Sequence, residues 1–184
     1  MTGPFQVLAI SGSLRAASTN SALLATAALL GGPDISVTVF DGMGALPHFN
    51  PDDDVEPLDP AVVQLRSSIA AADALLFCTP EYAGALPGSF KNLLDWTVGA
   101  TDGIYEKPVA WVNASSSPTG AANAHASLRI VLGYVGARIV EAACVHIPVL
   151  RSAVDEHHLI TDEATRRAVA ETLRSLEAGA KSHR

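Results

Sequence analysis

A chain of 184 residues, 48% of them hydrophobic, is long enough to bury a sizeable core and falls in the length range of one domain, here taken as 1–184. Its net charge of −7 leaves no basic stripe to neutralise a phosphate backbone, so no nucleic-acid partner is expected. Every long apolar run is interrupted by Gly, Pro or a charge, and Met1-Thr2-Gly3-Pro4 has neither a basic region nor a separate apolar stretch; the expectation is no membrane partner and a cytoplasmic location.

The first strand-like run is Gln6 to Ile10, whose consecutive apolar residues read as a strand buried on both faces. It breaks into Ser11-Gly12-Ser13-Leu14-Arg15-Ala16-Ala17-Ser18-Thr19-Asn20, which leads to an Ala/Leu-rich helix over Ser21 to Leu30. This junction has the make-up of a phosphate cradle. Unpaired N–H groups and the positive end of the helix dipole favour an anion, Ser11, Ser13, Ser18, Thr19 and Asn20 add side-chain donors, and Arg15 adds a guanidinium fork. The loop has neither the lysine of a P-loop nor the three glycines of a dinucleotide turn, which suits a terminal monophosphate. On this segment alone the alternative is a polar connection with Ser18 or Thr19 as an ordinary helix N-cap.

Further strand-like runs follow at Ile35 to Phe40, Ala74 to Cys78, Val109 to Asn113 and Ile139 to Val145, with helix-like stretches between them and after the last. The alternation predicts an α/β fold, a five-stranded parallel sheet of order 2-1-3-4-5 covered on both faces. Its ligand crevice lies beyond the carboxyl ends of strands one and three, where the Ser11 and Pro80 loops sit. Asp52-Asp53-Asp54 with Glu56, flanked by prolines, reads as a solvated loop, and His157-His158 as surface. Cys78 and Cys144, each in an apolar stretch, read as core residues and not as a redox pair, and Trp96 as core or subunit interface. His125 is placed equally well beside the crevice or at a subunit contact. The tail after Ala180 is expected to fray.

The third strand leads into Thr79-Pro80-Glu81-Tyr82-Ala83-Gly84-Ala85-Leu86-Pro87-Gly88-Ser89-Phe90-Lys91-Asn92-Leu93-Leu94-Asp95-Trp96. With Gly12-Ser13-Leu14-Arg15, Ser18 and Asn20, this segment resembles the NADPH-dependent FMN reductase family, whose pattern is Gly-Ser-x-Arg, Ser and Asn after strand one, then Pro-Glu-Tyr, Pro-Gly and Lys-Asn-x-x-Asp-Trp after strand three. Leu46-Pro47 with Asn50 and Asp52, and Ser115-Ser116-Ser117-Pro118, extend the match, which runs to about Val149. Two positions depart from it. Ala83 stands where members often carry Asn, and Gly120 is followed by Ala121-Ala122-Asn123 where paired glycines are common.

The resemblance implies a flavodoxin-like three-layer sandwich that binds FMN, takes hydride from NADPH or NADH as co-substrate, and passes electrons to a small-molecule acceptor such as free flavin, a quinone, an azo compound or a metal oxyanion. It places the FMN phosphate at Ser11, Ser13, Arg15, Ser18, Thr19 and Asn20, and the ring beside Pro80, Glu81, Tyr82, Ala83 and Gly84, with Ser115 and Ser116 alongside. Glu81 and Tyr82 are expected to act mainly through their backbone, Tyr82 also walling the site, with Lys91 and Asp95 as positioning charges. The flavin carries the hydride, so no catalytic side chain and no metal are called for. A homodimer or homotetramer is implied. A flavodoxin-type electron carrier and a flavin-free binding protein of the same fold are the alternatives.

Overall fold

The computed structural model describes residues 3–98 and 103–182. Its sheet has β1 (Phe5–Ser11) at the centre, with β2 (Ile35–Phe40) and β3 (Ala74–Cys78) on either side, and β4 (Pro108–Asn113) beyond β3. All of these pairs are parallel, with Val7 opposite Val37 on one side and Ala74 on the other. The order β2-β1-β3-β4-β5 agrees with the expected one. Every residue of β3 is buried, which is why the central strands are continuous apolar runs and do not alternate.

Helices cover both faces, each over its own core. On one face α1 (Thr19–Leu30) and α5 (Glu163–Lys181) pack Leu23, Leu24, Leu173 and Leu176 against Val7, Ala9, Leu76 and Val112. On the other, α2 (Pro60–Ala71), α3 (Gly88–Asp95) and α4 (Ala122–Tyr134) pack Leu65, Phe90, Leu93 and Leu128 against Leu8, Ile10, Phe77 and Trp111. Trp96 is core, as one of its two readings had it: its Nε1 donates to the Pro47 carbonyl at 2.9 Å and its ring meets Phe49 edge-on. Arg66 reaches over that ring and clasps Asp54 through both terminal guanidinium nitrogens, so the last of the three consecutive aspartates is tied down while Asp52 and Asp53 are exposed. His157 and His158 are exposed, and among the described residues no three metal-ligating side chains converge.

The expected fifth strand is two short ones. β5 (Arg138–Ile139) and β6 (Val145–His146) both pair with β4, but Glu141–Ala143 between them forms a single 3₁₀ turn. Ile139 lies opposite Val109 and Val145 opposite Val112, so three steps along β4 are matched by six along the returning chain. The surplus is looped out, Ala143 is buried beneath it, and Glu141 faces outward to grip Arg129 through both carboxylate oxygens. That pair holds the Glu141 carboxyl below its ordinary range. At the other end of the chain α5 continues past Ala180, where fraying was expected, because Lys181 pairs with Glu177 at 2.6 Å and the Ser182 hydroxyl donates to Gly179. His183 and Arg184 lie outside the described residues.

Candidate functional site

The crevice is built where the loops after β1, β3 and β4 leave the sheet. Gly12 N–H donates to the Cys78 carbonyl at 2.9 Å, drawing the first two loops together. The fit is close enough that a Cβ at Gly12 would lie 2.2 Å from Thr79 Oγ1. Only glycine allows this approach, so Gly12 sets how closely the first two loops meet. The helix starts two residues earlier than its Ala/Leu pattern suggested, which places Thr19 and Asn20 in its first turn. Ser18 is the N-cap, its hydroxyl accepting from Asn20 N–H at 3.2 Å. Ser11 and Ser13 fold the loop: Ser13 N–H donates to Ser11 Oγ and Arg15 N–H to Ser13 Oγ, both at 3.2 Å. Ser11 Oγ also meets Ser21 Oγ at 3.0 Å.

A cavity of about 470 Å³ opens above these ends, within the size range of small-ligand pockets. Its wall brings together Thr19 and Asn20 from α1, Thr79, Pro80 and Glu81 after β3, and Ser115, Ser116 and Ser117 after β4. Arg151 completes the rim. Of the residues expected here, Ser11, Ser13, Arg15, Ser18, Tyr82, Ala83 and Gly84 are not on that wall. The Arg15 guanidinium turns back to donate to the Ala17 carbonyl at 3.1 Å. Asn20 accepts from the Cys78 thiol at 3.2 Å, and burial pushes that thiol far above its ordinary pKa, which makes Cys78 an inert core group. Burial likewise pushes Cys144 up to about 11.

The loop after β3 is a two-residue hairpin. Tyr82 and Ala85 exchange both backbone hydrogen bonds at 3.1 Å, with Ala83 at φ 51° and Gly84 at φ 75°. Two consecutive left-handed residues make this a type I′ turn, which Asn-Gly suits best. Ala83 therefore holds a conformation that costs a residue with a Cβ about 1–2 kcal/mol. A Cβ at Gly84 would meet nothing within 4 Å, so that glycine answers to the turn and not to a tight contact. Tyr82 is exposed and does not line the cavity.

Glu81 departs from expectation. Its carboxylate Oε2 accepts from Asn123 N–H at 3.0 Å and Ala124 N–H at 3.2 Å, 42 residues or more along the chain. Helix α4 lacks a cap of its own, because its N-cap residue Ala121 sits at φ 51° with no side-chain bond. Glu81 supplies both the acceptor and the negative charge that the helix start favours. Ala121 follows Gly120, at φ 57°, so the pair takes the backbone shape of two glycines with only one present. Beside this corner, His125 Nδ1 lies 2.9 Å from the Ala121 carbonyl, fixing the proton there and leaving the buried Nε2 without a partner among the described residues. Desolvation lowers the His125 pKa and keeps the ring neutral. His125 is not on the cavity wall. Lys91 and Asp95 form an exposed ion pair at 2.5 Å, also away from the wall.

Thr79, Ser117, Thr119 and Arg151 line the cavity without having been expected there, and Glu81, expected to act through its backbone, acts as a side-chain cap. Arg151 follows β6, where Ile147 N–H donates to Asn113 and Val149 N–H to Ala114. These bonds carry the returning chain along β4 to the crevice.

Comparison with known proteins agrees with this architecture. Residues 5–149 match the family described as NADPH-dependent FMN reductase. The chain is 35% identical over 178 residues to the NAD(P)H-dependent FMN reductase PA1204 of Pseudomonas aeruginosa, covering 96% of each protein. It is 33% identical to the 2-hydroxy-1,4-benzoquinone reductase of a Burkholderia species, covering 88% of each. Among solved structures it superposes on FerB, the flavoenzyme NAD(P)H:(acceptor) oxidoreductase of Paracoccus denitrificans, with a TM-score of 0.84 and 28% identity, covering 97% of this chain and 98% of that one. A family match over most of the chain, on a sheet of flavodoxin order with a cavity at its switch point, shows that this chain belongs to the NADPH-dependent FMN reductase family of flavin-dependent oxidoreductases.

Proposed function

We propose that the cavity at the ends of β1, β3 and β4 holds FMN and that the chain uses it to move electrons from NADPH or NADH to a quinone, a free flavin or a similar small acceptor. The donor set around the cavity carries this reading. Thr19, Ser115, Ser116, Ser117 and Thr119 line it with hydroxyls beside the amide of Asn20 and the N-terminus of a twelve-residue helix. These are neutral and dipolar donors suited to phosphate and polyol oxygens.

When bound, FMN supplies a ring that accepts hydride from the nicotinamide and returns two electrons to the acceptor. The protein binds, orients and exposes it. The first turn of α1 and the loop ahead of it take the phosphate end, with Ser11, Ser13 and Arg15 shaping that loop and Ser18 capping the helix. The hairpin Glu81 to Ala85 takes the ring edge. Its backbone groups at Pro80, Ala83 and Gly84 are held in place because the Glu81 carboxylate anchors the hairpin to α4. Tyr82, exposed on the hairpin, leaves the outer side open to a nicotinamide and then to an acceptor. No side chain is called on to transfer a proton during hydride transfer.

Exposed Ile130 and Tyr134 on α4 support a homodimer or homotetramer, an apolar surface of the kind a second subunit covers. No described helix is long and apolar enough to cross a membrane, and we place the protein in the cytoplasm. The test is the absorption spectrum of the purified protein, before and after FMN and then after anaerobic NADPH. A bound flavin that bleaches is the expected result. A bound flavin that NADPH and NADH leave oxidised would make the protein an electron carrier, and failure to take up FMN would make it a flavin-free binding protein.

A further inference from the structure

We propose that Arg151, from the turn after β6, is the cation that closes the FMN phosphate site, facing the N-terminus of α1 across the cavity. The inference rests on the reading of the cavity as an FMN site. Arg151 lines that cavity together with Thr19 and Asn20, the first two residues of α1. It also lines an adjoining cleft with Ala17, Thr19, Val154, Asp155 and His158, so Arg151 and Thr19 form the boundary shared by both. A group at that boundary meets the helix N–H donors on one side and the guanidinium on the other, the arrangement a phosphate dianion requires.

Two sets of bonds fix the backbone that carries the Arg151 side chain. The bonds from Ile147 to Asn113 and from Val149 to Ala114 fix the chain up to residue 149, and a 3₁₀ turn at Arg151–Ala153 follows directly. Ile160 N–H donates to the buried Thr26 Oγ1 at 2.9 Å, tying the far end of the same segment to α1. In the adjoining cleft one oxygen of the Asp155 carboxylate is held locally, Oδ1 accepting from His157 and Leu159 N–H at 2.9 and 2.8 Å. The Arg151 guanidinium has no hydrogen-bond or ion-pair partner among the described residues, whereas Arg15 is turned onto Ala17 and is absent from the wall. Of the two arginines, Arg151 is the one presented to the cavity.

The test is equilibrium binding to flavin-free protein, read by quenching of flavin fluorescence, for wild type, Arg151→Ala, Arg151→Lys and Arg15→Ala. Loss of a charged hydrogen bond to phosphate should weaken FMN roughly tenfold to a hundredfold in Arg151→Ala, with a smaller loss in Arg151→Lys, a point charge without the fork. Riboflavin, which lacks the phosphate, should bind Arg151→Ala as it binds wild type. Equal losses for FMN and riboflavin would overturn the assignment by making Arg151 a structural residue. So would unchanged FMN binding accompanied by a higher KM for NADPH, which would assign it to the nicotinamide nucleotide. An Arg15→Ala variant that lost FMN selectively while Arg151→Ala did not would return the phosphate to Arg15. If wild type bound no FMN the cavity reading itself would fail, an outcome distinct from any difference between variants.

Discussion

Replacing Glu81 with Ala removes the only side chain among the described residues that caps α4, and the structure sets the size of the effect. Two backbone N–H groups, of Asn123 and Ala124, lose a charged acceptor at 3.0 and 3.2 Å. A buried charged hydrogen bond is worth about 1.5–3 kcal/mol, but this one is part-exposed and water replaces it in part, so the scale of N-cap deletions, about 0.5–2 kcal/mol, applies. At about 2–4 °C per kcal/mol for a chain of this size, Tm of the flavin-free protein should fall by roughly 1–8 °C. Glu81→Gln keeps an acceptor oxygen and loses the charge at the helix dipole, a term of about 0.3–1 kcal/mol, so it should fall less. Because Glu81 begins the hairpin, both variants should also weaken FMN, Ala more than Gln. Circular-dichroism melting without flavin separates stability from binding. An unchanged Tm in Glu81→Ala would refute the capping argument, since the loss is counted before any ligand is present.

Relief of the left-handed strain at Ala83 should stabilise: Ala83→Asn, suited to position one of a type I′ turn, is expected to raise Tm by a few degrees in differential scanning fluorimetry, from about 1 kcal/mol. Gly12→Ala should do the reverse, because its Cβ would meet Thr79 Oγ1 at 2.2 Å; overpacking of about 1–3 kcal/mol and a collapse of FMN binding are expected, measured by melting and fluorescence titration. His125 is held neutral, so the unfolded chain binds its proton first and stability should fall as pH drops below about 6.5. His125→Asn should flatten that part of a Tm-against-pH curve, and an unaltered curve would mean another group sets it.

Why the fold could be read from the chain, and where it could not, comes down to how far each signal reaches. A strand buried on both faces is a local run, and Val7 to Ile10 and Ala74 to Cys78 declare themselves without knowledge of their neighbours. Ile139 to Val145 carries a similar apolar signal, yet its middle is a 3₁₀ turn, because pairing with β4 and burial of Ala143 decide the path there. Composition cannot distinguish a strand from a bulged return that buries the same residues. Likewise the left-handed backbones at Ala83 and Ala121 have no sequence mark, since alanine is an ordinary helix former that tertiary context has overridden.

The same distinction divides the site. Polar residues crowded between an apolar strand and a helix announce a ligand loop, and the serines of both loops were visible for that reason. Their division of labour was not visible. Ser11, Ser13 and Ser18 satisfy backbone N–H groups of their own loop away from the cavity wall, Ser115 accepts from Ser117 N–H in the same way yet lies on that wall, and Thr19 and Asn20 line it from the helix. Of two adjacent hydroxyls, Ser18 serves the fold and Thr19 lines the cavity, and only the direction of the backbone decides which. Glu81 and Arg151 follow from this logic at longer range. One is bound to a helix that starts some forty residues later, and the other is delivered by a strand more than a hundred residues after the loop it faces. Glu81 supplies the cap that Ala121 lacks, and Arg151 stands on the cavity wall where Arg15 does not. A site assembled from three loop ends of a parallel sheet is therefore specified by its short motifs only up to the first contact between loops; beyond that, the sheet's register selects which charges arrive.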